Sequence, residues 1–222
     1  KGSGNILFQN KDDLITYNIK KQNKSLNFET DLMINENKLF IDALNYKKKP
    51  NFKANINLKG SHFFNEKTII ESFSLNENKN RFSISKLIFD KNFNIKQLKK
   101  LNLNYFDEDL RQNEITIINK NNIYSLFGPK FNANSFIENL INDDSTNSFK
   151  VLNQNVELDI KIDQVYLDKE YVVNNLNGKL SLKKNEIFNA DLNAFFSKDK
   201  KFKFTVRTIQ KEKVTTLFLD HA

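Results

Sequence analysis

Val156-Glu157-Leu158-Asp159-Ile160-Lys161-Ile162-Asp163 decides the fold. Four aliphatic side chains at even positions alternate with four charged ones at odd positions. A helix would scatter such a pattern around its axis, whereas an extended chain sends alternate side chains to opposite faces of a sheet. The stretch therefore reads as a strand with one apolar and one wetted face.

The same period recurs outward in both directions. Leu26, Phe28, Leu32 and Ile34 alternate with Asn27, Glu29 and Asp31, with Thr30 completing the apolar side. Phe52, Ala54, Ile56 and Leu58 repeat the pattern, as do Phe82 and Ile84. Further on come Leu180 and Leu182, then Leu192, Ala194 and Phe196, then Phe202, Phe204 and Val206. Polar clusters separate these runs: Asn35 to Lys38, Lys47 to Asn51, Asn76 to Asn80, Asn119 to Asn122, Asn177-Gly178, Lys183 to Asn185 and Ser197 to Lys201. Their Asn content suits tight turns, because Asn tolerates positive φ. The expected fold is mainly β, an antiparallel meander with one face buried and the other wet, curved into an open groove or half-barrel.

One segment departs from period two. Ser135 followed by Glu138 forms a capping-box string, and Phe136, Ile137, Leu140 and Ile141 follow helical spacing, which predicts one short helix near 134–142. Gly128-Pro129 before it reads as a breaker, and Asp143 to Ser148 after it as an exposed loop. The expected division is an N-terminal group of strands over 1–128 and a helix plus C-terminal strands over 129–222, within one continuous sheet.

Composition excludes several chemistries. The 222 residues include no Cys, so there is no disulfide, thiolate metal site or cysteine nucleophile, and His62 and His221 are the only imidazoles. Neither has a second ligand at metal spacing, and His62 after Gly60-Ser61 reads as part of a turn. Five glycines form no GxGxxG or GxxxxGK string, so no nucleotide cofactor is expected. The acidic pairs at Asp12-Asp13, Asp107 to Asp109 and Asp143-Asp144 lie in polar stretches without calcium-loop spacing and read as solvated turns. No catalytic residue, metal or cofactor is assigned, and the chain is read as a non-enzyme. The net charge of +8 points toward anionic partners, but only Arg81, Arg111 and Arg207 carry guanidinium, and aromatics and cations fall on opposite strand faces. Nucleic-acid platforms interleave the two. No apolar run is long enough to span a bilayer as a helix.

The order of elements from Tyr124 to Val206 resembles the AsmA-like family of bacterial envelope proteins, of the YhdP and TamB type. The matching stretches are Phe131 to Ile141, Val156 to Leu167, Leu176 to Leu182 and Ala190 to Ala194. Leu219-Asp220-His221-Ala222 is similar to the start of a further element of that family. Asn and Lys stand at turns where the family more often has Gly and Arg. The resemblance implies an internal or C-terminal segment of a long periplasmic protein, anchored in the inner membrane by regions outside this chain. It implies a sheet curled into a hydrophobic groove that shields phospholipid acyl chains in transit between inner and outer membranes, in outer-membrane biogenesis. The alternating apolar positions named above, apart from Leu192, Ala194 and Phe196, would line that groove, with further segments of the same long protein as partners and no nucleic acid. The rival expectation is a structural or adhesive β-domain whose apolar faces pack only against each other.

Overall fold

The computed structural model describes residues 1–7, 13–50, 52–135, 137, 155–183, 186–209 and 212–220. The chain forms two compact units, Lys1–Arg111 and Gln112–Ala222.

The first unit contains β1 (Gly2–Leu7), β2 (Leu14–Gln22), β3 (Ser25–Ile34), β4 (Phe40–Ile41), β5 (Tyr46–Lys47), β6 (Ala54–Phe63), β7 (Lys67–Glu77), β8 (Asn80–Asp90) and β9 (Ile95–Phe106). Strands β1, β2, β3, β6, β7, β8 and β9 lie side by side in that order, each pair antiparallel. Most connections are hairpins with Asn in the turn. Among the described residues, seven of the ten non-glycine residues with positive φ are Asn, so Asn does here what Gly does in chains richer in it. The exception is the link from β3 to β6. Its polar residues at 35–38 and 47–50 are not hairpin turns but the two ends of an excursion that carries the small β4/β5 pair and a 3-10 turn at Asp42–Leu44.

The second unit contains β10 (Gln112–Lys120), β11 (Ile123–Asn132), β12 (Val156–Tyr166), β13 (Val172–Lys183), β14 (Glu186–Phe195), β15 (Lys201–Ile209) and β16 (Glu212–Leu219), again neighbouring in sequence order. All pairs are antiparallel except β11 and β12, which are parallel. A parallel pair cannot be joined by a tight turn; the chain must travel back to the starting end. That requirement accounts for the break in period two after Asn132. Asn134, Ser135 and Ile137 are helical, and the Ile137 N–H donates to the Ala133 carbonyl at 2.8 Å. Ser135 is thus inside the first turn rather than its cap. The Asn134 N–H is instead met by Asn132 Oδ1 at 3.2 Å. Phe136, residues 138–142 and the loop at Asp143 to Ser148 lie outside the described residues.

Two expectations about breakers are corrected. Gly128-Pro129 lies inside β11, so the division expected at 128/129 falls within a strand, and the compact units meet at Arg111/Gln112. Pro129 has no N–H to give to a ladder, and it sits at an irregularity where the β10/β11 register shifts between Glu114 and Thr116. Asn177-Gly178 lies within β13 rather than at a turn. Gly178 has φ +143° and passes so close to β14 that a Cβ there would stand 2.0 Å from the Asp191 carbonyl oxygen.

In neither unit do the strands close into a barrel. Among the described residues β1 pairs only with β2, and β16 only with β15. Leu14–Ile19 therefore lies in an interior strand, β2.

Candidate functional site

The register places the apolar positions of the first unit on one face, in rows that cross the strands. One row is Ile15, Leu32, Ile56, Leu75, Phe82 and Leu103; the next is Tyr17, Thr30, Leu58, Phe73, Ile84 and Leu101; the third is Ile19, Phe28, Gly60, Ile70, Leu87 and Leu98. No residue in these rows is charged. From β2 to β9 they run for about 24 Å at the ordinary strand spacing. The opposite face is a polar ladder. Asn57 Nδ2 donates to Asp31, Ser61 to Asn27, Asn102 to Ser83, and Lys59 faces Glu29 at 3.9 Å.

Rows end in polar groups at both strand ends. At one end His62 Nδ1 and Thr68 Oγ1 are 2.9 Å apart, and Lys21 pairs with Leu26. At the other end stands Glu77, fully buried, which pairs with Ala54 on one side and Asn80 on the other. Glu77 accepts from the Tyr46 hydroxyl at 2.8 Å, from Asn80 Nδ2 at 2.7 Å and from the Lys49 backbone N–H at 2.7 Å. A buried carboxylate needs such partners. Burial and the adjacent carboxylate push the Tyr46 hydroxyl well above the usual tyrosine range, and burial does the same to Tyr105 beside Asp107.

Tyr46 brings the β3–β6 excursion down onto the apolar face. Its ring stands 4.7 Å from that of Phe82 and 5.9 Å from that of Tyr105, both edge-on. Tyr46, Ala54, Leu75, Phe82, Leu103 and Tyr105 are consequently buried. Beyond them the face is half-buried, at Leu32, Ile56, Leu58, Phe73, Ile84, Leu98 and Leu101, with Leu87 an enclosed exception. The other end of the excursion is fixed by Asp13. Its carboxylate is buried, which opposes ionisation, but it accepts from the N–H groups of Asn35, Glu36 and Asn37 and from Asn37 Nδ2, and these bonds hold it below the usual carboxylate range.

In the second unit one row is Tyr124, Leu158, Leu180, Ala190, Val206 and Thr215, and the next is Leu126, Ile160, Gly178, Leu192, Phe204 and Leu217. This face is more enclosed. Val156, Ile160, Ile162, Leu180, Leu182 and Val206 are buried in one cluster with Ala133, Val165 and Val173, against which Ile137 packs. The far face again carries compensating charge, with Lys179 4.0 Å from Asp159 and Lys203 3.6 Å from Asp191.

Of the alternating apolar positions singled out in the sequence, all stand on these faces except Phe52 and Phe196, and Phe196 follows the end of β14. Phe52 is not on a strand; it precedes β6, is 41% exposed, and lines a shallow recess with Phe106, Leu110, Lys49 and Lys79. His62 lies on β6 rather than in a turn, and His221 lies outside the described residues. Among the described residues no cluster of His, Cys, Asp or Glu could hold a metal, and no helix is long and apolar enough to cross a membrane.

No family model, curated protein or solved structure matches this chain. The function must be argued from the faces themselves.

Tyr46, Glu77, Tyr105 and Asp13 escaped the sequence reading. Asp13 is not the solvated acid its polar surroundings suggest, because its carboxylate is buried under the backbone of Asn35 to Asn37, and Tyr46 stands beside a lysine run that reads as a turn. The available signal was the distance from Ile34 to Ala54, too long for a hairpin and so bound to pack somewhere.

Proposed function

We propose that the chain is a segment of an AsmA-like bacterial envelope protein whose apolar sheet face shields phospholipid acyl chains. The observation that carries this reading is the pair of middle rows in the first unit. These are the rows from Tyr17 to Leu101 and from Ile19 to Leu98; they are uncharged, half-buried except at Gly60 and Leu87, and bounded by polar groups at both strand ends. Exposed methylenes cost about 0.8 kcal/mol each in water, so a long uncharged strip is what an acyl chain requires, and no specific side chain need be present. Because the uncharged strip is longer across the strands than along them, a chain lying on it at full length runs across the strands. On this reading the protein is periplasmic, is held at the inner membrane by regions outside this chain, meets further segments of the same long protein, and performs no catalysis.

The buried cluster of the second unit favours the rival, a self-packed structural domain, for that part of the chain. One experiment separates the two. A photo-crosslinking side chain is placed in turn at Leu58, Ile84 and Leu101 on the apolar face and at Asn57, Ser83 and Asn102 on the polar face. The chain is then irradiated with vesicles of phosphatidylethanolamine and phosphatidylglycerol. Lipid adducts at the first three positions and not the second three support the groove; absence at all six leaves the structural domain.

A further inference from the structure

We infer that the β3–β6 excursion is a fixed stop that confines acyl chains to the middle rows of the first unit's apolar face. This deepens the lipid reading above and rests on it. Along β9 the inner face passes from half-buried Leu101 to buried Leu103 and Tyr105 within four residues, and along β8 from Ile84 to Phe82 within two. Sequence does not explain the change, since all five side chains are large and apolar. The Tyr46 ring lies against Phe82 and Tyr105, the two rings that flank Leu103, Phe82 as its register partner on β8 and Tyr105 two residues further along β9.

The excursion is built as a wall rather than a lid. A lid needs a lightly bonded segment able to swing away, but this one is tied along its length. Asp13 gathers the backbone at Asn35 to Asn37. The Tyr105 hydroxyl donates to the Leu44 carbonyl at 2.9 Å, and the Glu108 N–H donates to the Asn45 carbonyl at 2.9 Å. Glu77 takes the Tyr46 hydroxyl and the Lys49 N–H. Three separate stretches of the unit, at Asp13, at Glu77 and from Tyr105 to Glu108, hold it down. A chain moving across the strands therefore meets a boundary along one side, which keeps it from the buried carboxylate of Glu77.

The test places a diazirine analogue of leucine at Leu101 or at Leu103, two residues apart on one face of one strand, in the otherwise native chain. The analogue is close to leucine in size, so the packing under Tyr46 is kept. Irradiated with vesicles of phosphatidylethanolamine and phosphatidylglycerol, position 101 should form lipid adducts and position 103 none above background. In Tyr46→Ala, position 103 should gain adducts while position 101 keeps them. Equal labelling of 101 and 103 in the native chain would overturn the stop while leaving the lipid reading intact. No labelling at 101 would overturn the lipid reading itself. A Tyr46→Ala chain with native β-type circular dichroism and still no label at 103 would also overturn the stop; if that variant does not fold, the native comparison decides alone.

Discussion

The Tyr46 hydroxyl donates to Glu77 Oε2 at 2.8 Å where both side chains are no more than 2% exposed. The bond joins the excursion to the end of β7, and it is one of three donors that make a buried carboxylate tolerable. Tyr46→Phe keeps the ring against Phe82 and Tyr105 but leaves Glu77 short of a donor. Hydrogen bonds to charged groups contribute about 1.5–3 kcal/mol, so the variant should lose that much stability in chemical denaturation. Tyr46→Ala, which also empties the ring's space, should lose more, about 3–5 kcal/mol.

Alkaline titration should show the same site from another side. Burial raises the Tyr46 and Tyr105 hydroxyls above the ordinary value of 10.0, so their neutral forms are favoured in the folded chain. The stability this supplies is fully present below pH 10 and is lost as pH rises toward the folded values. Tyrosinate absorbance should show both rings still protonated in the folded chain at a pH where free tyrosine is half ionised. They should ionise only with loss of the β signal.

Acid should loosen the opposite anchor. Asp13 sits below its ordinary value of 3.8, so its contribution is present above that pH and lost as pH falls through the lower folded value. Hydrogen exchange at Asn35, Glu36 and Asn37 should be slow at neutral pH and accelerate, relative to other protected amides, below about pH 4. In Asp13→Asn the same amides should exchange fast at every pH.

The strands that were legible in the sequence are those with unbroken alternation, β3, β6 after Phe52, β12 and β15. Strands β7, β8 and β9 were harder to read for a common reason. Each puts two consecutive residues outward at about the same level: Glu71-Ser72, Ser85-Lys86 and Lys99-Lys100. Lys86 has φ +52° there, and the β6/β7 register slips at Lys59/Gly60. A bulge of this kind adds a residue and inverts the phase of everything after it. The apolar face survives in three dimensions as Phe73 gives way to Ile70, Ile84 to Leu87 and Leu101 to Leu98. Period two in the sequence does not. The polar anchors were illegible for another reason, because Asp13 with Asn35 and Tyr46 with Glu77 are contacts between residues more than twenty positions apart with no local pattern.

Gly178 marks where two backbones come closest in the second unit. Its φ of +143° is open to glycine, and a Cβ would lie 2.0 Å from the Asp191 oxygen and 3.0 Å from Leu192 Cα. Backbone cannot yield as a side-chain tip can. Gly178→Ala should cost about 3 kcal/mol or more, among the larger single-residue effects, and should broaden the amide resonances of β13 and β14 first.

The last prediction concerns the edge at β16. All eight of its residues are exposed, and Val214, Leu217, Phe218 and Leu219 are each more than 40% exposed. The strand breaks the rule kept elsewhere, because its two faces are both apolar. Leu217 continues the row of Leu192 and Phe204, while Phe218 stands beside Lys203 on the face that carries charge in β12 to β15. Between Lys213 and Asp220 there is no charge, proline or glycine to blunt it. Free edges of this composition pair with other strands. The isolated chain should self-associate with rising concentration in sedimentation velocity. Because it contains no cysteine, Thr216→Cys introduces a unique reporter at the centre of the edge, and oxidation should give disulfide-linked dimers from that variant and far fewer from Ser3→Cys on β1. Leu217→Lys with Phe218→Lys should abolish association while leaving the folded β signal unchanged. Concentration-independent monomers of the native sequence, or dimers captured equally well at β1, would mean that β16 is not the pairing edge.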